Sequence, residues 1–234
     1  MERNSGILLH PTSLPDTPIC GTFGKPSRDW LNDLAQCGIG VWQFLPLAPP
    51  DSLGSPYSSP SSFAFNPWFL DENDLFRDGF LANNLRNFYS ETEKLDNRVD
   101  SQSANSKVKL LSSALVDCWE KQNSTIKKEF DSWCEKQFWL EAHSIFMELK
   151  VQNNNLPWWE WPEKFAVYDK QKLTSWKKKN EKALLAHNLI QWHLDRQWKL
   201  IRELANWKED HKKELLGHNL IQWHLCRQWK VIRE

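Results

Sequence analysis

The run Gly54-Ser-Pro-Tyr57 sets a serine hydroxyl and a phenol on a loop stiffened by Pro56 and Pro60. A tyrosine held this way offers a flat apolar face to the C–H groups of a ring-shaped ligand such as a sugar. Its hydroxyl is offered to that ligand's polar edge. The same types also suit a structural part, with Tyr57 as a plug and Ser55 as a turn residue. Asp51 is the carboxylate of this loop, and a lone carboxylate lacks the partner that paired acid–base chemistry requires, so it is assigned no catalytic role. Asn66-Pro67 closes the loop, the asparagine turning it and the proline stiffening it. His10, between an apolar run and Pro11, is read as a structural histidine rather than a ligand group. The indoles of Trp158, Trp159 and Trp161, framed by Pro157 and Pro162, are read as pins of a corner between helices rather than as a binding platform. Cys20, Cys37, Cys118, Cys134 and Cys226 show neither CxxC spacing nor pairing with histidine, so neither a zinc site nor a disulfide framework is expected, and no cofactor. GxGxxG, GxxxxGK[ST], GxSxG and HExxH motifs are missing, which excludes the nucleotide-binding, serine-hydrolase and zinc-protease classes on their defining spacings.

The elements that must position these residues change character near residue 72. Residues 1–71 hold six of the eight glycines and ten of the twelve prolines. Ile7-Leu8-Leu9 reads as a short buried strand, and Pro11 to Pro26 as a long loop. Ser27 is the expected N-cap of a helix whose apolar face carries Trp30, Leu31, Leu34 and Ala35, with Gly38 just past its end. Val41-Trp-Gln-Phe-Leu45 is a second strand. Strand, short helix, strand predicts a parallel βαβ unit, with the Tyr57 loop at the C-terminal end of its second strand. The remainder has helix composition. Asp96 to Lys107 is polar and reads as a connector. Val108 to Glu120, Ile126 to Lys150 and Lys177 to Glu203 carry apolar stripes at helical spacing.

The 234 residues weigh 27.7 kDa, enough for one large domain or two small ones. Thirty basic and thirty acidic side chains cancel, so no general attraction to nucleic acid or to an anionic membrane is expected. Mean hydropathy is −0.66, and the apolar runs fall well short of the roughly 18 residues a membrane span needs. No basic and apolar leader opens the sequence, and a cytoplasmic setting is expected. Tryptophan is over-represented, at 15 against 3 tyrosines. A tandem repeat is also present: His187 to Glu203 recurs as His218 to Glu234, with 15 of 17 positions identical at an offset of 31. A solenoid needs about three units or more, so this reads as a local duplication. Trp192, Trp198, Trp223 and Trp229 within it are read as core, and Lys177 to Lys179 as a solvated face.

Three blocks in order, Gly6-Ile-Leu-Leu-His-Pro-Thr-Ser-Leu14, Val41-Trp-Gln-Phe-Leu-Pro-Leu-Ala-Pro49 and Gly54-Ser-Pro-Tyr-Ser-Ser-Pro-Ser-Ser-Phe-Ala-Phe-Asn-Pro67, resemble the 4-alpha-glucanotransferases (amylomaltase, or disproportionating enzyme) of the alpha-amylase clan. Leu156-Pro-Trp-Trp-Glu-Trp-Pro162 and His187 to Glu203 are similar to that family's helical insertion, whereas the second repeat copy has no counterpart in its pattern. The resemblance implies the N-terminal part of a (β/α)8 barrel: residues 1–71 as its start with the sugar-site loop, residues 72–234 as a helical insertion subdomain. Two strands and a large insertion make this chain mostly α-helical. The resemblance also implies a retaining transfer of part of a 1,4-alpha-glucan to the 4-position of an acceptor glucan or glucose. Malto-oligosaccharide or alpha-glucan would be the partner, with no nucleic acid and no membrane. Ser55 and Tyr57 match residues lining the sugar site and are the candidate substrate-binding residues. Retention needs two carboxyl groups about 5–5.5 Å apart. In the family they belong to later barrel strands, and no position of this sequence matches them. No residue here is assigned as catalytic, the chain alone is expected to be inactive, and the alternative is a non-catalytic glucan-binding or helical interaction module. With a barrel incomplete, low stability and exposed apolar surface are expected.

Overall fold

The computed structural model describes residues 5–15, 17, 19–37, 39–51, 53–82, 99–166 and 170–205. Strand β1 (Gly6–Leu8) pairs in parallel with β2 (Val41–Gln43), with Ile7 opposite Trp42, and helix α1 (Lys25–Gln36) connects them. The βαβ unit is therefore present. Among the described residues these are the two strands of the only sheet. β1 is exposed rather than buried, with Leu8 58% accessible, because one parallel neighbour satisfies one edge and covers neither face.

Helix α1 starts two residues before the expected cap. Gly24 is its N-cap and Pro26 lies in its first turn, where a missing N–H costs nothing. Ser27 is buried inside that turn and donates its hydroxyl to the Thr22 carbonyl at 2.6 Å. Gly24 is required by what lies against it: a Cβ there would sit 2.0 Å from the Asp71 carboxyl carbon. Leu31 and Leu34 face the core as their spacing implies. Gly38 lies outside the described residues.

Among the described residues seven further helices follow: α2 (Glu72–Arg77), α3 (Ser101–Trp119), α4 (Ser124–Lys136), α5 (Leu140–Gln152), α6 (Glu163–Ala166), α7 (Lys170–Lys179) and α8 (Glu181–Ala205). The polar stretch expected to be a connector corrects in its second half. Residues 101–107 are the first turns of α3, capped by the Asp100 carboxylate on the N–H groups of Gln102 and Ser103, both at 3.0 Å. Ala104 and Lys107 bury the inner side of these turns, and residues 96–98 lie outside the described part. The apolar stripe expected to run from Ile126 to Lys150 is broken between α4 and α5 at Gln137–Trp139. Gln137 leaves helical geometry there (φ −98°, ψ 85°) with neither proline nor glycine to signal it. The helix expected from Lys177 likewise divides at Asn180. Its side-chain amide donates to the Trp176 carbonyl at 2.8 Å, while its own carbonyl accepts from Leu184 at 3.0 Å to start α8.

Helix α8 is the axis of the molecule. Leu189, Ile190, Trp192, Leu194 and Ile201 join Phe23, Phe69, Leu75, Phe80, Leu111 and Phe130 in one core that contains residues from both sides of position 72. Aromatic edges do much of the packing. Trp192 meets Phe130 at 5.4 Å and Phe80 at 5.8 Å, both T-shaped, and Phe23 stacks on Phe69 at 4.6 Å and tilts against Trp198 at 5.0 Å. The core reading of Trp192 and Trp198 holds; Trp223 and Trp229 lie outside the described residues. A smaller core gathers Ile145, Leu149, Trp161 and Leu173.

Candidate functional site

The loop that carries Ser55 and Tyr57 is built around Asp51. Its Oδ1 accepts from the N–H groups of Leu53 and Ser55, both at 2.9 Å, and its backbone carbonyl accepts from Gly54 at 3.1 Å. The Asp51 N–H closes the turn on the Ser55 carbonyl at 3.1 Å. Gly54 sits at φ +85°, where a side chain would be strained. The loop carboxylate is thus engaged in holding the loop's geometry. Pro56–Ser58 form a 3-10 turn, and the Ser55 Oγ caps it by accepting from the Tyr57 N–H at 3.3 Å. Tyr57 itself is 72% accessible. It stands on a braced turn with its ring exposed and plugs nothing among the described residues.

The far end of the loop is tied to the helices. The buried Asn66 accepts from the Trp68 N–H at 3.1 Å, and its own N–H donates to Leu47 at 2.8 Å, the structural part expected of it. Gln191 of α8 clamps Phe65 through both backbone groups: its Oε1 accepts from the N–H and its Nε2 donates to the carbonyl, each at 2.9 Å. Two turns further, Gln197 does the same to Asp71 at 3.0 Å and 3.0 Å. Asp71 caps α2 through its other carboxylate oxygen and accepts the Thr22 hydroxyl at 2.6 Å. Asp74 receives a fork from Arg28, at 2.6 Å and 2.9 Å, and a third bond from Arg77 at 2.8 Å. These bonds raise the Arg28 pKa further above its ordinary range. Lys107, buried to 2%, donates to the carbonyls of Trp68 and Leu70 at 3.3 Å and 3.2 Å beside Glu72. Gln191, Gln197, Asp71, Asp74 and Lys107 each meet a partner of opposite hydrogen-bonding sense, which is what makes their burial tolerable, while the buried Glu72 Oε2 makes no hydrogen bond and lies 3.6 Å from the Lys107 ammonium.

These observations can be set against known proteins. The model of the family described as 4-alpha-glucanotransferase matches residues 9–209. The chain belongs to the 4-alpha-glucanotransferase family. It is 33% identical over 207 residues to the 4-alpha-glucanotransferase of Synechocystis, covering 87% of this chain and 40% of that protein. It is 32% identical over 207 residues to that of Thermus thermophilus, covering 88% and 40%. It therefore spans about 40% of the length of these relatives. The solved structure of amylomaltase from Streptococcus agalactiae in complex with acarbose superposes with a TM-score of 0.79 at 26% identity, covering 88% of this chain and 41% of that one.

Other features of this family member fall outside the loop. His10 is packed edge-on against Phe69 at 5.5 Å, with a buried Nδ1 that meets no partner among the described residues. Burial lowers its pKa to about 4, so the ring is neutral near pH 7. The tryptophan cluster corrects its expectation in part. Trp161 does pin the corner, buried against Phe146 at 5.3 Å and donating to the Leu156 carbonyl at 2.9 Å. Trp158 and Trp159, 51% and 67% accessible, do not. The short turn Trp158–Glu160 aims successive side chains in different directions, so one indole reaches the core and the other two meet each other at 5.8 Å in solvent. The sequence also gave no notice of an exposed aromatic group further along the Tyr57 loop: Phe63 meets Phe138 at 5.1 Å and stacks on Trp139 at 6.4 Å. Phe138 lies within the stripe expected from Ile126 to Lys150, and the break at Gln137 turns it out to solvent instead. A cavity of about 430 Å³ lies elsewhere, between α2, α4 and α8, against Asp74, Trp133, His193 and Asp195. Among the described residues no cluster of three histidine, cysteine or acidic groups could hold a metal, and no helix is long and apolar enough to cross a membrane.

Proposed function

We propose that this chain carries the substrate-side entrance of a 4-alpha-glucanotransferase, with Ser55 and Tyr57 on the loop that receives a malto-oligosaccharide. The observation that carries the reading is the exposed phenol of Tyr57 on a turn braced by Asp51 and Ser55, in a chain of this family. A braced, solvent-facing ring loses little freedom on stacking against a sugar, and its hydroxyl stays free to bond. The acarbose complex of the Streptococcus agalactiae amylomaltase supports a glucan-like ligand class. The strand–helix–strand unit β1–α1–β2 is, on this reading, the opening of a (β/α)8 barrel. Residues 1–71 supply the sugar-site loop and residues 72–234 a helical insertion that holds it. The reaction of the whole protein is a retaining transfer of a 1,4-alpha-glucan segment to the 4-position of an acceptor. Its two carboxyl groups are assigned to no residue of this sequence.

Titration of the 234-residue chain with maltodextrin, followed by calorimetry, tests this. Saturable binding is expected, weakened by about 1–3 kcal/mol in Tyr57→Phe and Tyr57→Ala variants that keep the native circular dichroism. Incubation with maltotriose is expected to release no glucose. Binding that is indifferent to Tyr57 would refute the assignment of the loop, and turnover by this chain alone would refute the assignment of the chemistry to residues outside it.

A further inference from the structure

The groove that holds α8 reads a particular sequence. Eight of its residues are buried to 4% accessibility or less: Leu189, Ile190, Gln191, Trp192, His193, Leu194, Gln197 and Ile201. Two of them, Gln191 and Gln197, recognise the groove by directed bonds to the backbone of Phe65 and Asp71 rather than by apolar fit alone. All eight recur, in the same order and spacing, in the second repeat copy, from Leu220 and Gln222 through Trp223 and Leu225 to Gln228 and Ile232. The polar partners at the rim recur too. Asn188, whose side-chain oxygen accepts the Ser144 hydroxyl at 2.5 Å, becomes Asn219, and His187, 3.3 Å from Glu148, becomes His218.

The two differences fall where the groove demands least. Leu200, replaced by valine at 231, is 44% accessible. Asp195, replaced by Cys226, is half-buried and accepts the Trp133 indole N–H at 3.0 Å. A cysteine sulfur is a weaker acceptor there, but it also relieves the burial of a carboxylate. Upstream, Leu184 and Leu185 have equivalents in Leu215 and Leu216.

We propose that the α8 groove has two interchangeable occupants within one chain, and that His218–Glu234 takes the place of His187–Glu203 when the first copy leaves it. Exchange advances the docked register by 31 residues and inserts that length between α7 and the helix in the groove. Lengthening a connection costs little, because loop-closure entropy grows only with the logarithm of length. The second copy is held near the groove by the chain itself, at an effective concentration no separate molecule matches. The loop anchored at Phe65 and Asp71 keeps the same glutamine clamps in both registers.

Three variants of the 234-residue chain test the exchange: Leu194→Asp to expel the first copy, Leu225→Asp to disable the second, and both together. Urea unfolding is expected to stay cooperative in either single variant and to lose its transition in the double variant. Peptide-level thiol labelling, read by mass spectrometry, is expected to slow at Cys226 in Leu194→Asp relative to the parent chain, because the cysteine then lies against Trp133. The proposal fails if Leu194→Asp is already as unfolded as the double variant, or if the double variant keeps the transition of Leu194→Asp. It fails equally if Cys226 labels at the parent rate in Leu194→Asp. Light scattering is expected to give a monomer. Rescue that depends on protein concentration would seat the second copy in a neighbouring chain and overturn exchange within one chain.

Discussion

At the scale of single residues, identity matters most where a side chain has no room to move. Gly24 and Asp71 share one volume, so Gly24→Ala is expected to shift backbone at the start of α1 and to destabilise the chain by about 1–3 kcal/mol in urea unfolding. The tryptophan cluster gives a sharper contrast. Trp161 is buried and hydrogen-bonded, and Trp161→Ala is expected to cost about 3–5 kcal/mol. Trp159 is 67% accessible, and its alanine variant is expected to stay within about 0.5 kcal/mol of the parent. The same denaturation series decides both. Composition and flanking prolines mark these indoles as one group, yet their energetic weights divide by direction, and direction is set by a turn of three residues. The Ser55–Tyr57 loop was legible for a different reason. Its glycine, prolines, serine and aspartate act within a few residues of one another, so their chemistry is local and sequence spacing reports it.

Elements are positioned here by polar contacts that cross long stretches of chain. Lys107, from the first turns of α3, satisfies the carbonyls of Trp68 and Leu70 where the loop enters α2. Lys107→Met keeps most of the volume but leaves the Leu70 carbonyl without a donor and the Trp68 carbonyl with only the weak Cys20 thiol bond at 3.7 Å. The expected loss is about 2 kcal/mol or more of stability, with the helical circular dichroism of the folded state retained. A midpoint equal to that of the parent would show that water replaces the ammonium group. The sequence signals the apolar stripes of α1, α3 and α8, because burial imposes a period on the residues of one face. It misplaces the boundaries at Gln137 and Asn180. Both breaks are made by capping bonds among ordinary helix-forming residues, and no proline or glycine announces them.

For the whole molecule, burial of neutral histidines ties stability to pH. Burial lowers His10 to about 4 and His143 to about 3, and it holds His193 well below its ordinary value. In the unfolded chain these rings bind protons below about pH 6.5, whereas in the folded chain they do so only at much lower pH. The unfolded state therefore binds more protons throughout that interval, and stability falls as pH drops from about 6.5 toward 4. Glu148, whose pKa is lowered by its bond to His187, acts in the same direction at the acid end, since its contribution is lost as it protonates. The urea midpoint measured at steps from pH 7 to pH 4 is expected to decline steadily. A midpoint flat across that interval would contradict the burial of these rings.

Sequence alone determined the family, the parallel strand pair with its connecting helix, and the candidate Ser55–Tyr57 loop. These depend on residue order over short spans, where spacing and turn chemistry are read directly. Tertiary structure alone decided that Tyr57 faces solvent, that only Trp161 of its cluster is buried, and that Gln191 and Gln197 hold the loop from 126 residues away. A glutamine on an amphipathic helix looks the same whether it meets water or another segment's backbone, and only the folded chain brings that backbone to it.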